Sequence, residues 1–125
     1  PYFLPPRSII TALQAAALRG VEVRVVLPEK NNLPYVHWAT RKMLWELLGR
    51  GVRVFLQPAP FVHTKLFRID DDYVLLGSAN IDPRSLRLNF ELNVEAFGTD
   101  LARAVDAQID ERRSRGLVRA VLCRR

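Results

Sequence analysis

The residues best suited to chemistry fall between Phe61 and Glu95, in the run FVHTKLFRIDDDYVLLGSANIDPRSLRLNFELNVE. His63 and Lys65 stand two apart and Asp70 follows, an H-x-K-x-x-x-x-D pattern. Gly77-Ser78-Ala79-Asn80 and then Asn89-Phe90-Glu91 come behind it. Successive side chains on a strand face opposite ways. A strand over 62–69 would therefore project His63 and Lys65 from one face and Val62, Thr64 and Leu66 from the other. That arrangement sets a nucleophile beside a fixed cation.

Such a pair suits attack on a phosphodiester. A neutral imidazole nitrogen can displace an alcohol from phosphorus and carry the phosphoryl group covalently, which divides one difficult step into two easier ones. The non-bridging oxygens gather charge in the process. Lys65 and the amide of Asn80 are candidates to bind them, and Ser78 can add a hydroxyl donor, an electrostatic role that requires no metal. Glu91 is the candidate to accept a hydrogen bond from the far ring nitrogen of His63, which would fix its tautomer. Asp70 adjoins Asp71 and Asp72, and in such a turn an aspartate serves backbone donors as readily as chemistry. Arg84 and Arg87 are either headgroup contacts or loop braces.

These residues resemble the signature of the phospholipase D superfamily, carried by His63, Lys65, Asp70 and the Gly77–Asn80 cluster. The continuation Ile81-Asp82-Pro83-Arg84-Ser85-Leu86 and Leu88-Asn89-Phe90-Glu91 most resembles the second, C-terminal catalytic half of bacterial cardiolipin synthases. The likeness extends upstream through Pro1-Tyr2-Phe3-Leu4-Pro5 and covers the chain to about Gly98. It implies a phospholipase D-like half-domain without cofactor, and a structural role for Asp70. It also implies that two such motifs meet in one site, so that residues 1–125 are expected to be one catalytic half-domain of a longer two-motif protein. The missing partner would be an N-terminal half or, in the alternative, a second copy in a homodimer. Opening on Pro1 rather than Met fits the same expectation.

The composition sets bounds but does not choose. At 125 residues, 49% hydrophobic and 26% charged, the chain is an ordinary globular domain. Net charge +6 and a pI near 10.2 favour an anionic partner, either lipid headgroups or nucleic acid. The basic residues crowd from Arg103 onward, where a solvated helix face accounts for them. A single cysteine, Cys123, excludes an internal disulfide and a cysteine metal cage. No apolar run reaches the roughly 18 residues that would cross a bilayer, so any anchor would lie outside this sequence.

The elements that must position the site follow from periodicity. The prolines at 1, 5 and 6 hold the start extended. Ser8 is expected to cap a first helix with Ile9, Leu13, Ala16 and Ala17 on its apolar stripe, ended by Gly20. Residues 21–27 read as a strand. Pro34 opens a second helix running to about Arg50, with Val36, Thr40, Met43, Leu44 and Leu47 inward. His37 falls off that stripe as a rim residue, and Trp38 and Trp45 read as packing residues. Residues 52–56 form a short strand. The aspartate turn pairs 62–69 with 73–76 as a hairpin, which returns Gly77–Asn80 toward His63. Residues 78–88 read as a loop and 90–97 as a strand. Thr99 or Asp100 caps a last helix with Leu101, Ala104, Val105 and Ile109 inward. Residues 117–122 are a further strand or a frayed end. The sum is an α/β layered domain with a mixed β-sheet flanked by helices.

Three functions remain at this stage. The first is a phosphatidyltransferase of cardiolipin synthase type acting on an anionic phospholipid at a bacterial membrane surface, on its cytoplasmic or peripheral face. The second is a phospholipase D-type phosphodiesterase or nuclease. The third is a half-domain that is inert alone.

Overall fold

The computed structural model describes residues 2–30, 34–116 and 118–121, and leaves the side chains of 34–37 aside. The expectations placed on Val36, His37, Leu117, Leu122 and Cys123 therefore lie outside the described residues. The chain order is α1 (Arg7–Leu18), β1 (Arg24–Pro28), α2 (Pro34–Leu48), β2 (Arg53–Gln57), β3 (Leu66–Ile69), β4 (Tyr73–Gly77), α3 (Pro83–Arg87), β5 (Asn93–Phe97), α4 (Thr99–Ser114) and β6 (Arg119–Ala120).

The α/β class with flanking helices holds, but the strands form two small sheets rather than one. In the first, β1 runs parallel to β2, from Arg24↔Arg53 to Pro28↔Gln57, and β6 pairs antiparallel with β2. In the second, β3, β4 and β5 are antiparallel neighbours in that order. Pro58 and Pro60 lie in the stretch between β2 and β3, where they cannot donate to a ladder. A bridge from Phe3 to Ile81, with Leu4 N–H donating to the Ile81 carbonyl at 2.9 Å, ties the extended start to the second half of the chain.

The core collects Phe3, Ile10, Leu27, Leu44, Leu47, Val52 and Val54 from five separate stretches. Leu44 and Leu47 keep helical spacing on α2, and Val52 and Val54 share one face of the β2 run. On α1 Leu13 and Ala17 of the expected stripe pack against the core, and Ile10 rather than Ile9 is its buried member. Ser8 lies inside α1, and Pro6 holds the cap position in extended conformation with no side-chain cap. The Pro6 carbonyl instead takes the N–H groups of Ile9 and Ile10 at 3.0 and 3.2 Å.

Three corrections concern the site's supports. The expected strand over 62–69 begins only at Leu66, because 61–64 has no partner strand among the described residues. The expected loop over 78–88 contains α3, started by Asp82, whose carboxylate accepts from Arg84 N–H and Ser85 N–H at 2.9 Å each, with Pro83 in the first turn. The expected strand over 90–97 begins at Asn93. At the last helix the cap position is Gly98 at φ 138, with no side-chain cap from Thr99 or Asp100. Ala102 is fully buried there while Leu101 and Ala104 are exposed. α4 lies against β4, where Val74 is also fully buried, and Arg68 reaches Asp106 at 2.9 Å to join β3 to that helix.

Candidate active site

The β3–β4 hairpin brings the separated motifs together. Its register pairs Leu66 with Leu76 and Ile69 with Tyr73. One further bond, Gly77 N–H to the Lys65 carbonyl at 3.3 Å, carries the pairing just past the strand end. Lys65 and Gly77 are thus opposite one another, and Ser78 is next in line.

At this end of the hairpin the Lys65 ammonium sits 2.8 Å from His63 Nδ1 and 3.4 Å from Nε2, and donates to the His63 carbonyl at 3.1 Å. An ammonium only donates, so the ring nitrogen it faces must accept, which suits a neutral imidazole. Desolvation first, and then the charge of Lys65, hold the His63 pKa below the ordinary histidine value. Desolvation also lowers the Lys65 pKa, against the opposing pull of the Glu91 carboxylate. Two rings flank the imidazole: Tyr2 edge-on at 6.4 Å between centroids and Phe61 tilted at 5.8 Å.

Glu91 acts on Lys65 through its charge. Its carboxylate accepts from Ser78 Oγ at 2.5 Å and from Asn89 Nδ2 at 3.2 Å. These bonds, a further one from Ser85 and the charge of Lys65 hold its pKa below the usual carboxylate range. No hydrogen bond joins Glu91 to His63 among the described residues: Lys65 lies at the ring nitrogen where Glu91 was expected. Ser78 is held from both sides, its N–H donating to the Leu92 carbonyl at 2.9 Å and its Oγ accepting from Leu92 N–H at 2.9 Å. Asn80 is turned toward the support structure. Its Oδ1 accepts from Tyr2 N–H at 3.3 Å and its Nδ2 approaches Ser85 Oγ at 3.5 Å. Tyr2 therefore touches both Asn80, through its backbone, and His63, through its ring.

Asp70 is elsewhere. It occupies the hairpin turn at φ 48, five positions beyond Lys65, which along β3 at about 3.3 Å per residue is roughly 16 Å. Aspartate is among the few residues that tolerate this left-handed conformation. Its carbonyl accepts from the Arg68 side chain, which braces the turn.

A sequence profile described as "Cardiolipin synthase, PLD-like domain" matches residues 1–113. The chain belongs to this PLD-like domain family. Among curated relatives of the domain, a probable cardiolipin synthase YwiE of Bacillus subtilis is 45% identical over 111 residues, which is 89% of this chain and 22% of the relative. Cardiolipin synthase A of Escherichia coli O157:H7 is 41% identical over 117 residues, 90% of this chain and 24% of the relative. The PLD-like domain thus spans about a quarter or less of the length of those proteins. Among solved structures, the phospholipase D family member Nuc of Salmonella typhimurium superposes with a TM-score of 0.82 at 24% identity, over 98% of this chain and 78% of that one. Phosphatidylserine synthase of Haemophilus influenzae does so with a TM-score of 0.73 at 20% identity, over 97% and 32%. At these identities the likeness is one of fold.

Three contributors to the PLD-like site were missed by sequence reasoning. Ser85 is buried, meets the Asn80 amide, and helps to hold the Glu91 pKa down. Its signal was the Asp82-Pro83 pair, which reads as a helix start and would have placed Ser85 on the inner side of a turn. Tyr2 and Phe61 carried no signal, since an aromatic residue becomes a site wall only through tertiary contact. Ser85→Ala is expected to leave the Asn80 amide short of a partner. The cost should be about 1–2 kcal/mol of unfolding free energy by denaturant titration.

Gly77 explains how β5 comes so close. A Cβ built there would meet Asn93 Oδ1 and the Leu92 carbonyl at 2.3 Å and Asn93 Cα at 2.7 Å. Two of these are backbone atoms that cannot turn aside. Gly77→Ala is expected to push β5 off β4, lowering stability by roughly 1–3 kcal/mol and detaching Ser78 from Glu91. A fall in Tm together with loss of activity in the refolded protein checks this.

Proposed function

We propose that this chain supplies one catalytic half of a phosphatidyltransferase of cardiolipin synthase type, with His63 as nucleophile, Lys65 as phosphate ligand, and Ser78, Asn80 and Glu91 as the polar frame around them. The observation that carries the reading is the Lys65 ammonium lying directly against the ring of an exposed, neutral histidine. Nothing in this pairing stabilises a charged imidazole. It serves a ring that must present a lone pair.

When a phosphodiester enters, its non-bridging oxygens compete for the Lys65 ammonium. As Lys65 turns to them, the ring nitrogen it leaves is free to attack phosphorus. The bond from phosphorus to the glycerol oxygen of one phosphatidylglycerol breaks, that oxygen takes a proton, and glycerol departs. A hydroxyl of a second phosphatidylglycerol then loses a proton and attacks the phosphohistidine, which returns the imidazole. Protonating the leaving oxygen and deprotonating the entering one require a second group near neutral pKa. His63 cannot both hold phosphorus and move these protons, and the only other histidine, His37, lies on α2. The relatives' greater length leaves room for a second motif, and a second half of the same protein, or a second copy, is the partner this mechanism requires. Asp70, remote in its turn, has no step. The site would work at a bacterial membrane surface, and no helix among the described residues is long and apolar enough to cross one.

The test is single-turnover trapping in the full-length protein with phosphatidylglycerol labelled on phosphorus. An acid-labile, base-stable label at His63 is the expected result. Absence of label there, or cleavage of DNA with a steep salt dependence in place of lipid turnover, defeats the reading.

A further inference from the structure

The segment from α3 into β5 carries apolar side chains that no other described residue covers. Phe90 is fully exposed, Leu88 is 78% exposed and Leu92 75%, with Leu86 half exposed before them. A soluble surface tolerates single leucines, but several in succession around a bare phenylalanine mark a contact site. Arg84 and Arg87 stand at its edge in the last turn of α3. Both are exposed, and neither forms an ion pair with a described residue.

The charges identify the occupant. Glu91 is the only acidic residue from Pro83 to Val94. Its carboxylate is turned to Ser78 and Asn89 rather than offered outward. The outward face is therefore leucine, phenylalanine and arginine, the composition of interfacial elements that lie in the headgroup layer. A two-fold contact between copies through this segment would set Arg84 and Arg87 near the same arginines of the other copy. An anionic lipid surface meets both the apolar and the basic part.

The segment also touches the site. One residue beyond Phe90, Glu91 binds Ser78, and Leu92 bonds the Ser78 backbone. The apolar tip and the polar frame are thus separated by about a side-chain length, of the order of the 5–10 Å to which interfacial elements sink. We propose that residues 84–92 form a membrane seat: Leu88 and Phe90 enter the apolar boundary of an anionic bilayer, Arg84 and Arg87 bind its headgroups, and the His63–Lys65 pair is held at the depth of the lipid phosphates. This rests on the lipid reading of the site given above. It adds the way in which the site reaches a substrate that does not leave its bilayer.

The test is co-sedimentation of the full-length protein, in which the second half is present, with vesicles of phosphatidylglycerol and phosphatidylcholine in equal parts, compared with phosphatidylcholine alone. Leu88→Ser/Phe90→Ser is expected to weaken partitioning onto the mixed vesicles about 100-fold, with an unchanged circular dichroism spectrum, while Phe90→Leu retains it. Arg84→Gln/Arg87→Gln should lose about 25-fold on the mixed vesicles at low salt, about fivefold per arginine, and little at high salt. Unchanged partitioning of the serine variant overturns the proposal. So does a result in which that variant turns a dimer into a monomer by sedimentation velocity without changing vesicle binding, which would make the segment a contact between copies. Because partitioning needs no turnover, its failure beside a labelled His63 sinks the membrane seat alone, and its success beside an unlabelled His63 sinks the catalytic reading alone.

Discussion

His63→Asn in the full-length protein is expected to lower phosphatidyl transfer by at least about 10⁴-fold, the scale on which removal of a covalent nucleophile acts. Asparagine keeps a polar side chain of similar reach but has no lone pair able to hold phosphorus. The ring is exposed, so folding should be untouched. The circular dichroism spectrum and Tm should match wild type while the phosphohistidine label disappears. Transfer within tenfold of wild type would show that the chemistry lies with another residue, and the nucleophile assignment would fail with it.

Lys65→Met is expected to have the second largest effect, a fall of about 10²–10³ in kcat, because it removes a charged ligand from the non-bridging oxygens as their charge grows. It should also move the pH profile. The Lys65 charge is one of the causes holding the His63 pKa below its ordinary value, and burial is the larger. With the charge gone and burial kept, the His63 pKa rises. The acidic limb of kcat/KM, which in the wild type lies below about 6.5, then moves to higher pH, and the variant loses further activity at pH 6 relative to pH 8. In the wild type, deprotonation of Lys65 sets an alkaline limb below the usual lysine range, since burial lowers its pKa. That limb should vanish in Lys65→Met. A variant that loses kcat but keeps both limbs would show that Lys65 does not sit on the ring in the free enzyme, whose groups the kcat/KM profile reports.

Much of the fold could be read from short-range pattern. The helices at Arg7–Leu18 and Pro34–Leu48 and the aspartate turn between β3 and β4 follow from residues within a few positions of one another. So does the return of Gly77 toward Lys65 once the hairpin pairs. The misreadings share one origin. A strand over 62–69 satisfied alternation, yet alternation says nothing about whether a neighbour exists to take the hydrogen bonds, and 61–64 has no partner strand among the described residues. The loop over 78–88 hid a five-residue helix because its Asp82 cap was read as part of a motif. One sheet became two because pairing between distant strands leaves no local signature.

By itself the amino-acid sequence determined which groups are available, a histidine two residues from a lysine, a serine and an asparagine after a glycine, and a glutamate beyond. It also determined that a tight turn would draw the first two groups together, since both depend on backbone geometry over a few residues. Only the tertiary structure decided who touches whom. Lys65 rather than Glu91 faces the imidazole, Glu91 closes on Ser78, Tyr2 and Phe61 flank the ring, and Leu88 and Phe90 are left bare. Those outcomes depend on β5 approaching β4 across Gly77 and on the first residues of the chain lying beside Ile81. They are contacts between stretches far apart in sequence, set by packing that no local period encodes.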